Sequence, residues 1–373
     1  MKILFIGHYK EGSGWSQATI NSILAMHKVG LDVVCRNIKL TNYNGPVHPT
    51  IMQLENKPLT GIDICIQNVL PHHIVGTTKF KKNIAYFVGE SNTMKHNHWL
   101  TSIKLVDESW VPNATLRDNF IKDGINADKV KIVPYAFNLD KFTKEHPKLN
   151  IQNNNYKFKF YYIGDINDRK NLESIIRCFH SEFHASEPVA LVLKINKHGV
   201  TNDDLHRGVV ALCSNVKEHM RIYPTVKHYH QEVILCGHIP EEQIDMIHSS
   251  CDCFVGASHG EGWSIPAFEA MCFGKTPICS NEGGPKEFIN VGDNNTGHLI
   301  DGIYSVCQHA DPAFAELFTG VEEWFVPSES DIKKTMRYYY ENKDNIDRSA
   351  GLKQAQPFSY EAVGETIRNT INA

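Results

Sequence analysis

The sequence has no apolar run near the roughly 18–20 residues that span a bilayer, which excludes a membrane-crossing helix. The opening apolar stretch, Met1 to Gly7, is too short for the core of a secretory leader and reads as a first strand. There is no basic excess. The 38 Lys and Arg stand against 42 Asp and Glu, a formal charge of −4, so bulk charge draws the chain to neither nucleic acid nor anionic membrane. There is no spaced cysteine framework either. Of the ten cysteines, Cys35, Cys65, Cys236, Cys253 and Cys279 fall in apolar strand-like runs, where cysteine acts as a small hydrophobe. Cys251 and Cys253 would share one face of a strand, but no second pair or histidine cluster completes a zinc site. Free buried thiols imply a reducing, cytoplasmic compartment, with membrane contact at most peripheral. Asp-x-Asp occurs nowhere, so a divalent metal held by such a pair is not indicated.

What is present is a globular composition of 373 residues, 42% apolar and 21% charged, enough for two ordinary domains. Strand and helix patterns alternate from the start. Lys2–Gly7 is a strand, a polar loop holds Gly12-Ser13-Gly14, and a helix with Ile20, Ile23 and Leu24 at helical spacing runs to about Val29. Gly12-x-Gly14 lacks the third glycine of a dinucleotide fingerprint, and a plain tight turn accounts for it equally well. Residues 42–60 read as a surface excursion. Further strands are expected at 62–66, 83–88, 108–111 and 131–133, giving a first doubly wound domain over residues 1–142. Residues 143–156 are polar, contain proline, lack periodicity and read as a linker. The alternation then restarts and defines a second doubly wound domain over 157–356, with a last amphipathic helix near 357–373. Two such α/β domains facing each other leave a central cleft, lined by loops at the carboxyl ends of strands.

The most informative stretch is 258–288. An apolar strand ending at Ala257 runs into Gly260-Glu261-Gly262; Pro266 is suited to the first turn of a helix that stops at Gly274; a second strand closes on Gly283-Gly284. Glu261 precedes this helix and Glu269 lies in its first turns, so both can face one crevice at a helix N-terminus that favours anions. Arg169, Lys170 and Lys194 stand at strand ends and supply cations. Cations and a helix dipole suit a diphosphate, and a carboxylate suits a vicinal diol, which together describe a sugar nucleotide. Each residue also has a plainer reading: Arg169 and Lys170 as a solvated loop, Glu269 in a surface pair, Glu261 as a helix-dipole carboxylate, Lys194 as a snorkelling lysine.

Glu261-x7-Glu269 in Glu-Gly-Trp-Ser-Ile-Pro-Ala-Phe-Glu, Val-Pro-Asn at 111–113, Val-Pro-Tyr-Ala-Phe-Asn-Leu-Asp-Lys-Phe at 133–142, Asp-Arg-Lys-Asn at 168–171, Gly-Gly-Pro-Lys-Glu at 283–287 and Phe-Ser-Tyr-Glu at 358–361 occur in one order along the chain. In these the sequence resembles the GT-B glycosyltransferases, and among them the retaining family 4, or group 1, transferases. The resemblance implies that Glu269 holds the ribose hydroxyls, that Glu261 contacts the donor sugar, and that Lys170 meets the diphosphate. Backbone N–H groups of Gly262, Trp263, Ser264 and Ile265 would meet sugar and phosphate, with Arg169, Lys194 and Gly14 counted on the donor side. It further implies a final helix returning to the first domain, and metal-independent transfer with retention, needing no cofactor beyond the nucleoside-diphosphate sugar.

Two positions depart from the family. Asp165 follows Gly164 where an arginine is usual, leaving Arg169 or Lys194 to compensate. Gly89-Glu90 follows a first-domain strand where a histidine is usual, so Glu90 is read as the second catalytic residue, with His96 and His98 assigned to a loop and a helix start. The expected activity is hexose-type transfer to a glycan, lipid or protein acceptor. The alternatives are a catalytically weak sugar-nucleotide-binding or scaffold protein, and another GT-B enzyme such as a sugar-nucleotide epimerase or a DNA-glucosylating enzyme, the acidic balance speaking against DNA.

Overall fold

The computed structural model describes residues 1–39, 45, 47–96, 98–149, 155–292, 295–307 and 319–373. Parts of the expected surface excursion and linker (42–44, 46 and 150–154) and Asn97 lie outside these residues. The strands in chain order are β1 (Lys2–Gly7), β2 (Asp32–Asn37), β3 (Ile64–Asn68), β4 (Lys82–Tyr86), β5 (Glu108–Val111), β6 (Val130–Ile132), β7 (Phe158–Asp165), β8 (Val189–Asn196), β9 (Val233–Cys236), β10 (Cys253–Gly256), β11 (Ile278–Ser280), β12 (His298–Ile300), β13 (Gly302–Val306) and β14 (Glu323–Pro327). The α-helices are α1 (Gly14–Lys28), α2 (Pro49–Glu55), α3 (Trp99–Ile103), α4 (Ala114–Lys122), α5 (Leu172–Glu182), α6 (Asn202–Met220), α7 (Glu241–Ser250), α8 (Ile265–Cys272), α9 (Glu329–Glu341), α10 (Ala350–Gln354) and α11 (Tyr360–Asn372).

Two compact units result. The described residues of the first lie within Met1–Lys141, Pro312–Glu323 and Ala355–Ala373, and those of the second within Phe142–Asp311 and Trp324–Gln354. The first holds a six-stranded sheet ordered β2-β1-β3-β4-β5-β6, and the second a six-stranded sheet ordered β12-β11-β10-β7-β8-β9. Neighbouring strands in both sheets pair in parallel. Parallel strands need covering on both faces, and their residues accordingly read as near-continuous apolar runs. In β8 every residue from Val189 to Ile195 is buried.

In the first unit Phe87 stacks on Phe120 of α4 at 5.1 Å. Helix α11 lies against α1 of the same unit, with Gly364 tight enough that a Cβ would stand 2.5 Å from the Ala25 carbonyl oxygen. The Tyr360 hydroxyl donates to Asn21 Oδ1 at 2.8 Å and seals this contact. In the second unit Phe158, Phe160, Leu191 and Leu193 of the sheet pack with Ile175, Ile176 and Phe179 of α5.

The structure adds elements that the sequence reading left out. Helix α2 falls inside the stretch read as a surface excursion. Strand β12 and the two-stranded β13–β14 sheet follow the stretch ending at 288. Helix α9 is capped by Ser328, whose side chain accepts from the Asp331 N–H, and it buries Ile332, Met336 and Tyr339. That i, i+4, i+7 spacing is present in the sequence. Among the described residues no helix is long and apolar enough to cross a membrane.

In the second sheet β7 has β8 on one side and β10 on the other, so the chain winds outward in both directions from it. Loops leaving the carboxyl ends of two such strands diverge and open a crevice. The loop after β7 carries Arg169 and Lys170; the loop after β10 carries Glu261.

Candidate functional site

Hydrogen bonds to main-chain carbonyls lock these two loops together. Past β7, Asn167 accepts at its side chain from the Lys170 N–H and forms a 3-10 turn, Asp168–Lys170. Asn171 then adopts a left-handed conformation at φ 52°. Asparagine is among the few residues that tolerate it, and its side-chain amide donates to the Ala257 carbonyl at 3.0 Å. The Arg169 carbonyl accepts from the Ser258 hydroxyl at 3.1 Å and from the His259 N–H at 2.8 Å. Arg169 Nη1 donates to the Gly260 carbonyl at 2.6 Å.

The charged centre sits on this frame. Lys170 Nζ lies 2.7 Å from Glu261 Oε1, and Arg169 Nη1 lies 3.7 Å from Oε2, so each carboxylate oxygen faces a cation. Burial alone would raise the Glu261 carboxyl, but Lys170 and then Arg169 outweigh it and hold it below its ordinary value. Only 13% of the Glu261 side chain and 19% of the Lys170 side chain are exposed, so solvent screens the pair weakly.

The next residues are held by glycines. Gly283, at φ 65°, lies so close that a Cβ would stand 2.1 Å from the Glu261 carbonyl oxygen, and a Cβ on Gly284 would stand 2.2 Å from Trp263 Cα. The Gly284 N–H donates to the Glu261 carbonyl at 3.0 Å. Trp263 turns inward and is 2% exposed, packed near Phe268 and Phe288. Its side chain is therefore core. Ser264 is left-handed at φ 69° and ψ 68° and makes no side-chain cap bond to α8, which starts at Ile265 with Pro266 in its first turn. A non-glycine residue held in this region marks backbone fixed by its surroundings. Helix α8 presents its dipole's positive end beside Glu261. Glu269, on α8, is 7% exposed, and its Oε2 lies 3.5 Å from His248 Nε2.

The other residues singled out in the sequence lie as follows. Lys194 is 4% exposed, and its ammonium donates to the Gly237 carbonyl at 2.6 Å. Burial lowers it to about 8. Asp165 stands at the end of β7, its carboxyl raised by burial, with Oδ1 accepting from the Ile166 N–H at 2.7 Å. Gly14 and Glu90 belong to the first unit. Gly14 begins α1, capped by Ser13. Glu90 follows β4, and its charge adds to the burial that raises the Tyr135 hydroxyl. Sequence reasoning gave Asn171 and Ser258 no role of their own and missed Tyr161 and His248. The first two sit in or beside the conspicuous loops; His248 and Tyr161 carry no spacing signal. Among the described residues no three His, Cys, Asp or Glu side chains converge as ligands for a metal ion.

One pH effect follows from the central pair. The Glu261 carboxyl lies below its ordinary 4.5 in the folded chain. Its contribution to stability is therefore complete above 4.5 and is lost as pH falls through the lower folded value. The stability difference between wild type and Glu261→Gln should be constant from neutral pH to about 5 and shrink below it. Urea titrations of both proteins from pH 7 to pH 3.5 check this, and a difference that grows on acidification would contradict it.

Residues 221–306, which include Glu261 and Glu269, match the family model of group 1 glycosyl transferases. No curated protein matches the chain. Among solved structures, the chain resembles Anabaena HepE in complex with UDP, at TM-score 0.68 and 14% identity over 100% of both chains. That protein is also solved with UDP-glucose. The chain further resembles a sucrose-phosphate synthase from Thermosynechococcus elongatus, at TM-score 0.67 and 13% identity, covering 100% of this chain and 98% of that one. A lipopolysaccharide outer core galactosyltransferase, WaaB, gives TM-score 0.61 at 14% identity, covering 100% of this chain and 99% of that one. Identities this low establish the fold, two doubly wound α/β units of the GT-B class.

Proposed function

We propose that this chain is a retaining, metal-independent glycosyltransferase that moves a hexose-type sugar from a nucleoside-diphosphate sugar to a glycan, lipid or protein acceptor. The observation that carries the reading is the Glu261 carboxylate, held between Lys170 and Arg169 at the N-terminus of α8, with Glu269 on the same helix. The group 1 match over this segment supports it, as do the UDP and UDP-glucose complexes of HepE.

In this reading Glu269 accepts the ribose hydroxyls, and Glu261 orients a hydroxyl of the donor sugar. Lys170 and the N–H groups of Gly262 to Ile265 stabilise charge on the leaving diphosphate, as preorganised electrostatics. The bond from the anomeric carbon to the β-phosphate oxygen breaks, and a bond to the acceptor oxygen forms on the same face. The acceptor proton passes to the departing diphosphate, so no protein base is consumed. Glu90 enters the proposal as a second carboxylate acting in the reaction.

One observation favours the alternative of a sugar-nucleotide binder with weak turnover. Asp165 stands where the family resemblance expects a cation, and the Lys194 ammonium donates to a main-chain carbonyl. Thermal unfolding with UDP-, GDP- and ADP-sugars in EDTA tests the reading's first requirement. Ligand at about 100 times its Kd adds about 2.7 kcal/mol of stability, so at least one should raise Tm by several degrees. If none does at millimolar concentration, both readings fail. If one does and no nucleoside diphosphate is ever released, the binder remains.

A further inference from the structure

Behind Glu269 lies a buried polar relay that no ligand would touch. Tyr161 on β7, His248 on α7 and Glu269 on α8 meet within the second unit. The Tyr161 hydroxyl is 2.7 Å from His248 Nδ1, and His248 Nε2 is 3.5 Å from Glu269 Oε2. The imidazole is fully buried and lies flat on Phe273, with ring centroids 5.3 Å apart and planes 10° from parallel. The Tyr161 ring meets its edge at 5.4 Å and 82°. These two ring contacts and the bond to Tyr161 oppose rotation of the imidazole.

The tautomer follows from the neighbours. If Nδ1 carried the single proton, Nε2 would aim a lone pair at a carboxylate in a medium that screens poorly, which is repulsive. With the Tyr161 hydroxyl donating to Nδ1, the imidazole proton sits on Nε2, the nitrogen 3.5 Å from Glu269 Oε2. The burial of Tyr161 keeps its hydroxyl protonated and able to donate. The Nε2 to Oε2 separation is long for a hydrogen bond and short for an unrelated pair. Such contacts tighten when the carboxylate is loaded.

From this arrangement we infer that His248 is the positioning residue for Glu269: with its tautomer set by Tyr161, it holds one oxygen of the Glu269 carboxylate inward and so fixes the other for the two ribose hydroxyls of the donor. The inference rests on the proposed ribose role of Glu269. It adds that selectivity for ribose over deoxyribose is built by a histidine that never touches the nucleotide. Its energetic logic is that of a metal ligand's outer partner, where an ordered neighbour fixes orientation, applied here to a carboxylate that binds a diol.

The test uses the full chain and calorimetric titration. The probe is whichever of UDP, GDP and ADP the wild type binds most tightly, together with its 2′-deoxy form. The wild type should prefer the ribose form by roughly tenfold or more, the size of one lost bond to a charged acceptor. Glu269→Gln should abolish most of that preference. His248→Phe, which keeps the ring packing, should bring the preference to within about threefold of the Glu269→Gln value. His248→Gln, which keeps a donor near the Nε2 position, should restore much of it. Tyr161→Phe removes only the hydroxyl, serves if His248→Phe does not fold, and should also lower the preference. A His248→Phe or Tyr161→Phe protein that weakens both nucleotides equally, or keeps the wild-type preference, overturns the positioning role. A wild type that binds none of the three overturns the donor-site reading and this inference with it. If wild type binds but Glu269→Gln leaves the ribose preference intact, the ribose role of Glu269 is what fails.

Discussion

Lys170→Ala should lower kcat for sugar transfer by about two to three orders of magnitude, the cost of removing one preorganised stabiliser of transition-state charge. Two losses coincide in this variant. On the proposed function the leaving diphosphate loses a fixed cation, and Glu261 loses the ammonium 2.7 Å from its carboxylate. Arg169, whose Nη1 donates to the Gly260 carbonyl at 2.6 Å and stands 3.7 Å from Glu261 Oε2, then remains as the more distant cation beside that carboxylate. Lys170→Arg should recover little, because a planar fork does not reproduce a compact ammonium that contacts one carboxylate oxygen. Steady-state kinetics with saturating donor measure the effect, and circular dichroism confirms that the fold survives. A kcat within threefold of wild type would remove Lys170 from the diphosphate site.

Glu269→Ala should lower kcat/KM by about tenfold to a few hundredfold through weakened donor binding, since each bond from a hydroxyl to a charged acceptor contributes about 1.5–3 kcal/mol. The signature differs from that of Lys170→Ala. Ribose contacts are made equally in ground and transition states, so KM should rise more than kcat falls. Glu269 is buried among buried neighbours on α8 with its Oε2 3.5 Å from His248 Nε2, so circular dichroism of the variant accompanies the kinetics. Donor titration by initial rates reads the split. An unchanged KM with a collapsed kcat would place Glu269 on the reacting sugar instead.

The positions of these two residues were largely legible in the sequence. Alternating strand and helix patterns are robust because buried parallel strands must be apolar throughout, as in β8. The 258–288 stretch announced a strand, a turn and a helix through Gly260, Pro266 and Gly274, and the structure has β10, a turn and α8 there. The helix starts at Ile265, one residue before the proline, because Ser264 takes a left-handed conformation. No propensity rule predicts that for serine.

What sequence could not supply was the allocation of cations. Arg169, after a strand, and Lys194, at the end of one, look equally free to meet a diphosphate. In the structure Arg169 spends Nη1 on a loop carbonyl, and the Lys194 ammonium is buried against Gly237. A cation that satisfies main-chain oxygen and one that awaits an anion look the same in a sequence, because the difference lies in long-range backbone placement. The same applies to His248, whose partners Tyr161 and Glu269 come from a strand 87 residues earlier and from the next helix. Strands β12 and β13 escaped because they are short and partly exposed, without sustained alternation.

The most direct test of the donor site is a crystal structure of the full chain with UDP bound in the absence of metal, or with GDP or ADP if thermal unfolding selects one of them. The reading predicts the ribose hydroxyls on Glu269, the diphosphate against Lys170 and the N–H groups that open α8, and Glu261 facing the space beyond the β-phosphate. A nucleotide bound elsewhere, or one whose diphosphate turns away from Lys170 and α8, would contradict it.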